Sequence, residues 1–166
     1  SNNNFMHKKL YKGKISTTFL RKPAYEALDS ISRFLAKRGL VLVIYDAYRP
    51  YSVTEELWVN VKDDRYAANP SRGSGHNRGI AVDLTLAELK THKLLAMPTG
   101  FDNFSDSAHQ DFKGLSVRII ENRDLLKHAM EKYGFTQLTT EWWHFSWPDN
   151  MSFEVLDLDF DQLNAL

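Results

Sequence analysis

At 166 residues, 43% of them hydrophobic and 25% charged, the chain has the make-up of a globular protein that a single hydrophobic core can serve. Its 21 basic and 21 acidic residues cancel to a formal charge of zero, so no global field draws it to nucleic acid or to an anionic membrane surface. There is no cysteine, which excludes disulfides and thiolate metal sites and leaves only nitrogen and oxygen donors for any metal.

No run approaches the roughly 20 apolar residues of a membrane span. The opening Ser1-Asn2-Asn3-Asn4 is too polar for a signal peptide, and the missing initiator Met reads as a processed or trimmed form. Cytoplasmic and periplasmic placement both stay open. With no repeat, linker or shift in composition, residues 1–166 read as a single domain.

In chain order, Pro23 at a first helical position, then Ala24, Ala27, Leu28, Ile31 and Leu35 at helical spacing, then Gly39 as a stop, predict an amphipathic helix. Leu40 to Tyr45 is a continuous β-branched and apolar run, the pattern of a buried central strand, and it delivers the chain to Tyr48-Arg49-Pro50. Ser52 and Glu55 form a capping-box pattern ahead of Val53, Leu57, Trp58 and Val61, so a second helix starts after Pro50 and Arg49 falls in a strand-to-helix turn. A polar loop, Lys62 to Gly75, follows.

Ile80, Val82, Leu84 and Leu86 alternate with Ala81, Asp83 and Thr85, which predicts a half-buried strand with Asp83 facing a cleft opposite the aliphatic core. Asn122 is placed to cap a third helix through Leu125, Leu126, Ala129, Met130 and Tyr133, ended by Gly134. Trp143 to Trp147 reads as a strand stopped by Pro148. The fold class expected is α+β: a central antiparallel sheet with flanking helices.

The chemistry is concentrated in two short runs, Ser74-Gly75-His76-Asn77-Arg78-Gly79-Ile80-Ala81-Val82-Asp83 and Glu141-Trp142-Trp143-His144. Two imidazoles and one carboxylate, from His76, His144 and Asp83, fill three corners of a tetrahedral Zn2+ and leave the fourth for water, as a catalytic site requires. His76 and Asp83 would lie about 23 Å apart on an extended chain rising roughly 3.3 Å per residue, so both reach one ion only if the backbone turns back. Gly75 and Gly79 are where a positive φ would cost least. Glu141 and His144, three apart, would face opposite sides of a regular strand, which places Glu141 in a bend just before it.

This is not the helical His-Glu-x-x-His of the common zinc proteases. With three ligands assigned, Glu141 is cast as the general base that takes a proton from the attacking water and returns it to the leaving amine. Arg49 then polarises the scissile carbonyl and steadies the oxyanion.

Each residue alone has a plainer account. A lone His is commonly a hydrogen-bonded core residue, Asp83 or Asp102 can cap a turn, and Arg49 can be a turn arginine in a salt bridge. Only the joint occurrence points to a metal. Trp142, Trp143 and Trp147 read as sheet packing and pocket wall. His7, His92 and His128 read as surface residues and Met97 and Met130 as core; His109 receives no role.

At these positions the chain resembles the zinc D-alanyl-D-alanine dipeptidases of the vancomycin-resistance type, within a wider group that includes D-alanyl-D-alanine carboxypeptidases and the hedgehog signalling domain. The wider group shares Ser-x-His-x-x-Gly-x-Ala-x-Asp and Glu-x-x-His, met by Ser74 to Asp83 and Glu141 to His144. The dipeptidase branch is suggested by Tyr45-Asp46-Ala47-Tyr48-Arg49-Pro50 and by Phe101-Asp102-Asn103-Phe104 followed by Ala108-His109. The match runs from about Phe5 to Asn150. One departure is the absence of a strand of the kind Asp-x-Arg-Tyr-Ala ahead of Asn3-Asn4-Phe5, expected to act on stability more than on the site.

The resemblance implies one zinc per chain held by His76, Asp83 and His144, Glu141 as base, Arg49 on the transition state, and Ser74 and Asp102 holding the substrate's free amino terminus. The implied reaction is hydrolysis of D-alanyl-D-alanine, in cell-wall peptide metabolism or glycopeptide resistance. Two rivals stay open: a carboxypeptidase acting on longer cell-wall peptides, and a zinc-containing binding module without turnover. Asp102 discriminates the first, since a carboxylate there blocks a longer chain. Glu141 and Arg49 argue against the second, which needs neither a base nor an oxyanion partner.

Overall fold

The structure, a computed structural model, describes residues 11, 17–62, 69–148 and 153–166. Asn3-Asn4-Phe5, His7 and the middle of the 62–75 loop lie outside them. Helix α1 (Lys22–Ala36) forms as the spacing predicts, with Pro23 in its first turn, and buries Ala24, Leu28, Ile31 and Leu35. Gly39, at φ 72, turns the chain into β1 (Leu40–Asp46).

Here the structure departs from the sequence reading. The antiparallel sheet runs β1-β2-β4-β3, with β2 at Ala81–Glu88, β3 at Thr136–Gln137 and β4 at His144–Ser146. β1 is therefore an edge strand among the described residues, half-buried along its length, with Ile44 39% exposed. Its apolar run is explained by α1, which packs over it, and Leu40 and Leu42 border the core. The central place belongs to β2, buried on both faces from Ala81 to Ala87. Its polar-looking face is covered because the loop before it folds back onto Ala81 and Asp83.

Helix α2 (Tyr51–Val61) begins after Pro50 as expected, but no capping box forms. Ser52 lies inside the first turn, and the helix's orphan N–H groups are met from far along the chain: Ser52 N–H donates to Asp157 Oδ1 at 2.8 Å and Tyr51 N–H to the Leu156 carbonyl at 3.1 Å. Helix α3 (Val117–Lys132) starts earlier than Asn122 would place it, with Ser116 as N-cap. Asn122 instead lies within the helix, its Nδ2 donating to the Ala96 carbonyl at 2.9 Å. Gly134, at φ 96, ends this segment.

A short helix, α4 (Phe160–Asn164), carries the capping box of Asp159 and Gln162. Helices α1 and α3 pack together, and the core between them and the sheet joins Leu28, Ile31, Leu35, Val82, Leu84, Leu86, Leu126, Met130 and Phe145. No helix among the described residues is long and apolar enough to cross a membrane.

Candidate active site

Strand register brings the site together. β2 and β4 pair Asp83 with His144, and β1 and β2 pair Asp46 with Asp83 across a register shift between Ile44 and Asp46. Directly opposed residues on antiparallel strands share a face with Cβ atoms roughly 5 Å apart. Asp83 thus meets His144 on one side, and the irregularity at the end of β1 brings Asp46 opposite it on the other. Two carboxylates facing each other need separate partners. Asp83 has the histidines and Asp46 has Arg49.

His76 arrives from the loop before β2. Gly79 takes the positive φ (68) that the turn-back requires, whereas Gly75 does not. Gly75 is needed for another reason: a Cβ there would lie 2.9 Å from the Ala81 Cβ, so only glycine lets the loop lie on the strand. Its carbonyl accepts from the N–H groups of Ile80 and Ala81 at 3.0 and 3.2 Å.

One ligating atom from each of His76, Asp83 and His144 lies within 4.8 Å of the others. His76 Nε2 is 3.4 Å from Asp83 Oδ2 and 3.3 Å from His144 Nδ1, and that Nδ1 is 2.8 Å from Asp83 Oδ1. His76 Nδ1 sits 2.6 Å from the Ala47 carbonyl, which can only accept, so Nδ1 carries the proton and the Nε2 lone pair of the neutral ring faces the cluster. His144 Nε2 is 3.2 Å from Ser146 Oγ, which leaves Nδ1 for the cluster in the same way. Two imidazole nitrogens and a carboxylate, converging with their outer nitrogens engaged, fit a zinc ion.

Glu141 lies in the bend the sequence requires: its N–H reaches the Leu138 carbonyl and its own carbonyl accepts from His144 N–H, both at 3.4 Å. The bend is packed by aromatic edges. Trp143 meets Trp142, Phe101 and Phe104 at 5.4, 5.7 and 5.9 Å, and Trp142 Nε1 donates to Thr99 Oγ1 at 2.9 Å. These contacts hold the Phe101–Phe104 turn beside Glu141, in keeping with the reading of Trp142 and Trp143 as packing residues. Asp102 sits in that turn in the left-handed region (φ 58), close enough for its charge to act on the Glu141 carboxyl.

Arg49 lies in the turn between β1 and α2. Its Nε and Nη2 donate to Asp46 Oδ2 at 3.0 and 2.6 Å, with the two side chains 15% and 12% exposed. Burial disfavours its charge, and the Asp46 carboxylate more than offsets this. Arg49 N–H also donates to the His76 carbonyl at 3.1 Å, which ties the arginine's backbone to the first histidine.

Ser74 is engaged with its own loop, its Oγ donating to Asn77 Oδ1 at 3.0 Å and accepting from Asn77 N–H at 3.2 Å. Asn77, fully buried, also donates from Nδ2 to the Arg49 carbonyl at 2.9 Å and to Thr54 Oγ1 at 2.8 Å. Sequence reasoning gave no role to Asn77 or to Asp46. The only signal for Asp46 is an acid three residues before an arginine, and for Asn77 a polar residue inside the histidine motif.

Burial opposes the charge of Asp83, but His76 and His144 outweigh it and hold the carboxyl well below its usual range. Burial likewise opposes the His76 charge, and Asp83 outweighs it, so His76 is raised. Glu141 is different: burial lifts it, the Asp83 and Asp102 carboxylates add to this against the pull of His144, and it reaches about 7.

In protein stripped of metal these shifts set the pH dependence of stability. Between 4.5 and about 7 the folded Glu141 holds a proton that the unfolded chain has released, so its contribution falls as pH rises. His76 adds stability that is full below 6.5 and lost as pH climbs through its raised value. The Asp83 contribution is present above 3.8 and lost as pH falls through its depressed value. The stripped protein should melt higher at about pH 5 than at about pH 8, with Glu141→Gln flattening the decline. Thermal melts across this range check it, and a Tm that rises from the first pH to the second contradicts it.

A sequence profile of the Peptidase_M15 family, described as D-ala-D-ala dipeptidase, matches residues 1–163. The chain is similar to the D-alanyl-D-alanine dipeptidase of Escherichia coli, 37% identical over 137 residues that span 82% of this chain and 70% of that one. The D-alanyl-D-alanine dipeptidase of Enterococcus faecalis is 31% identical over 137 residues, spanning 72% and 68%. Two solved structures share the fold. The zinc-bound vancomycin-resistance D,D-pentapeptidase VanY aligns at a TM-score of 0.51 and 15% identity over 81% of this chain and 76% of its own. The LD-carboxypeptidase LdcB aligns at 0.54 and 20% over 86% and 65%. With the motif residues converging on one cluster and the profile spanning nearly the whole sequence, the chain belongs to the D-Ala-D-Ala dipeptidase family of metallopeptidases.

Proposed function

We propose that this chain hydrolyses D-alanyl-D-alanine as a zinc-dependent D,D-dipeptidase, in cell-wall peptide metabolism or glycopeptide resistance, with residues 1–166 acting as one zinc peptidase domain. The observation that carries this reading is the convergence of His76, Asp83 and His144 within 4.8 Å, with Glu141 on the bend that leads into His144. His76, Asp83 and His144 would hold the ion. A zinc ion bound there supplies Lewis acidity to the substrate carbonyl and makes a coordinated water acidic near neutrality.

Glu141, on the bend that leads into His144, accepts the proton of the attacking water and returns it to the leaving amine. Arg49, fixed by Asp46 through Nε and Nη2, offers its remaining donors to the oxygen that becomes negative. Asp102 and Ser74 receive the free ammonium of the substrate. Placing that cation beside Asp102 also relieves the repulsion between Asp102 and Glu141.

Substrate length tests the reading. Acylating the amino group removes the positive charge that Asp102 would face and adds bulk where the cleft ends. Breaking a fully buried pair costs roughly 3 to 5 kcal/mol, and Asp102, half-buried, incurs only part of that. Rates are measured with zinc-loaded protein on D-alanyl-D-alanine, its L,L isomer and the N-acylated D,D form. The free D,D-dipeptide should be cleaved and the acylated form very poorly, with Asp102→Ala losing activity on the free dipeptide while narrowing the gap. Equal cleavage of both forms by the wild type replaces this reading with a carboxypeptidase of longer peptides; retained zinc with no turnover on any of them makes the chain a binding module.

A further inference from the structure

The Asp46 carboxylate that holds Arg49 is itself held, by a residue with no part in the reaction outlined above. While Oδ2 accepts both Nε and Nη2 of Arg49, Oδ1 accepts the Tyr11 hydroxyl at 2.7 Å and the Ala47 N–H at 3.0 Å. Donors on both oxygens fix the plane of the carboxylate, and with it the direction in which the guanidinium is presented. Tyr11 lies 35 positions before Asp46 in sequence, so this contact is a product of the tertiary fold.

The Tyr11 ring is in turn packed by the C-terminal segment. Phe160, the first residue of α4, meets Tyr11 edge-on at 5.3 Å, Tyr48 at 6.1 Å and Phe19 at 6.0 Å. Tyr48, which precedes Arg49, has its hydroxyl tied twice to Leu158, donating to its carbonyl at 2.9 Å and accepting from its N–H at 3.0 Å. On the other side of Arg49, Tyr51 N–H donates to the Leu156 carbonyl at 3.1 Å. One strap, residues 156–160, thus holds the Tyr48 side chain before Arg49, the Tyr51 backbone after it and the ring that orients its counter-ion.

We infer that Tyr11 is a positioning residue for Arg49: its hydroxyl pins Asp46 Oδ1 so that Oδ2 aims the guanidinium at the reacting carbonyl, and Phe160 holds the Tyr11 ring in line. This rests on the role proposed for Arg49 above. Burial first, and the Asp46 charge second, keep the phenol protonated far above its ordinary range, so it remains a donor at any working pH. Its effect on rate follows from geometry, since a misplacement of about 1 Å in a catalytic group can cost on the order of 10² in rate.

The test is a double-mutant cycle on the zinc-loaded protein. Tyr11→Phe removes one oxygen and keeps the ring contact with Phe160. It should lower kcat about ten-fold with KM little changed, and the loss should vanish in an Arg49→Ala background. Phe160→Leu, which loosens the ring without touching the hydroxyl, should give the same split and the same coupling, and it takes the place of Tyr11→Phe if that variant does not fold. A wild-type kcat in both variants, or an equal loss with and without Arg49, overturns the inference while leaving the function intact. If Arg49→Ala itself retains full kcat, the role of Arg49 fails, and this inference with it.

Discussion

Glu141→Ala retains its zinc and loses between about 10² and 10⁴ in kcat, the worth of a general base that serves in two proton transfers. The retention follows from geometry: the converging atoms belong to His76, Asp83 and His144, and Glu141 is not among them. His76→Ala or His144→Ala should therefore lose stoichiometric metal, while Glu141→Ala keeps it. The rate loss follows from the environment. Burial and two neighbouring carboxylates lift the Glu141 carboxyl from 4.5 to about 7 in the metal-free protein, and the bend before His144 keeps it beside the ligand cluster in the loaded one. Glu141→Gln keeps the shape of the bend and removes only the basic oxygen, so it should lose as much. Metal analysis beside steady-state rates checks both halves. Near-normal kcat in these variants would remove Glu141 from the mechanism, and stoichiometric zinc surviving both histidine changes would remove the ligands.

The convergence of His76, Asp83 and His144 was legible in the sequence because their spacing demanded specific backbone events. His76 and Asp83 required a reversal, and Gly79 provides it with φ 68; Glu141 and His144 required a bend, and the 138–144 turn is that bend. Helix α1 was legible because its buried residues recur at helical spacing and Pro23 and Gly39 bracket it. What failed were inferences from local composition that long-range contacts override. An apolar run predicted a central strand, yet β1 lies at the edge of the sheet among the described residues, because a helix covering one face needs the same residues as a neighbour strand does.

The caps failed for a related reason. Ser52 and Asn122 match local capping patterns, but α2 is capped by Asp157, over a hundred positions away, and Asn122 spends its amide on Ala96. Asp46 was hidden differently. Its importance lies in the register shift that brings it opposite Asp83, and nothing in the chain order of β1 announces that shift.

That register decides what losing Arg49 will do. Asp46 and Asp83 are cross-strand neighbours, and like charges so placed repel unless each has its own counter-ion. Arg49→Ala therefore removes an oxyanion donor and leaves the part-buried Asp46, among the described residues, with the neutral donors Tyr11 and Ala47. The first effect should cost roughly 10² to 10³ in kcat, as deletion of a transition-state donor does. The second should lower Tm without releasing zinc, since Arg49 contributes no ligand atom to the cluster. Arg49→Lys separates the two: it restores a cation beside Asp46, and so most of the Tm, but a point charge does not reproduce the planar fork that now takes Oδ2 through Nε and Nη2. Its kcat should stay well below wild type while its stability recovers. Steady-state kinetics and melts on both variants check this. A loss confined to KM would make Arg49 a uniform binding residue, and a lysine variant with full kcat would show that charge alone, without the aim that Asp46 imposes, is what the reaction uses.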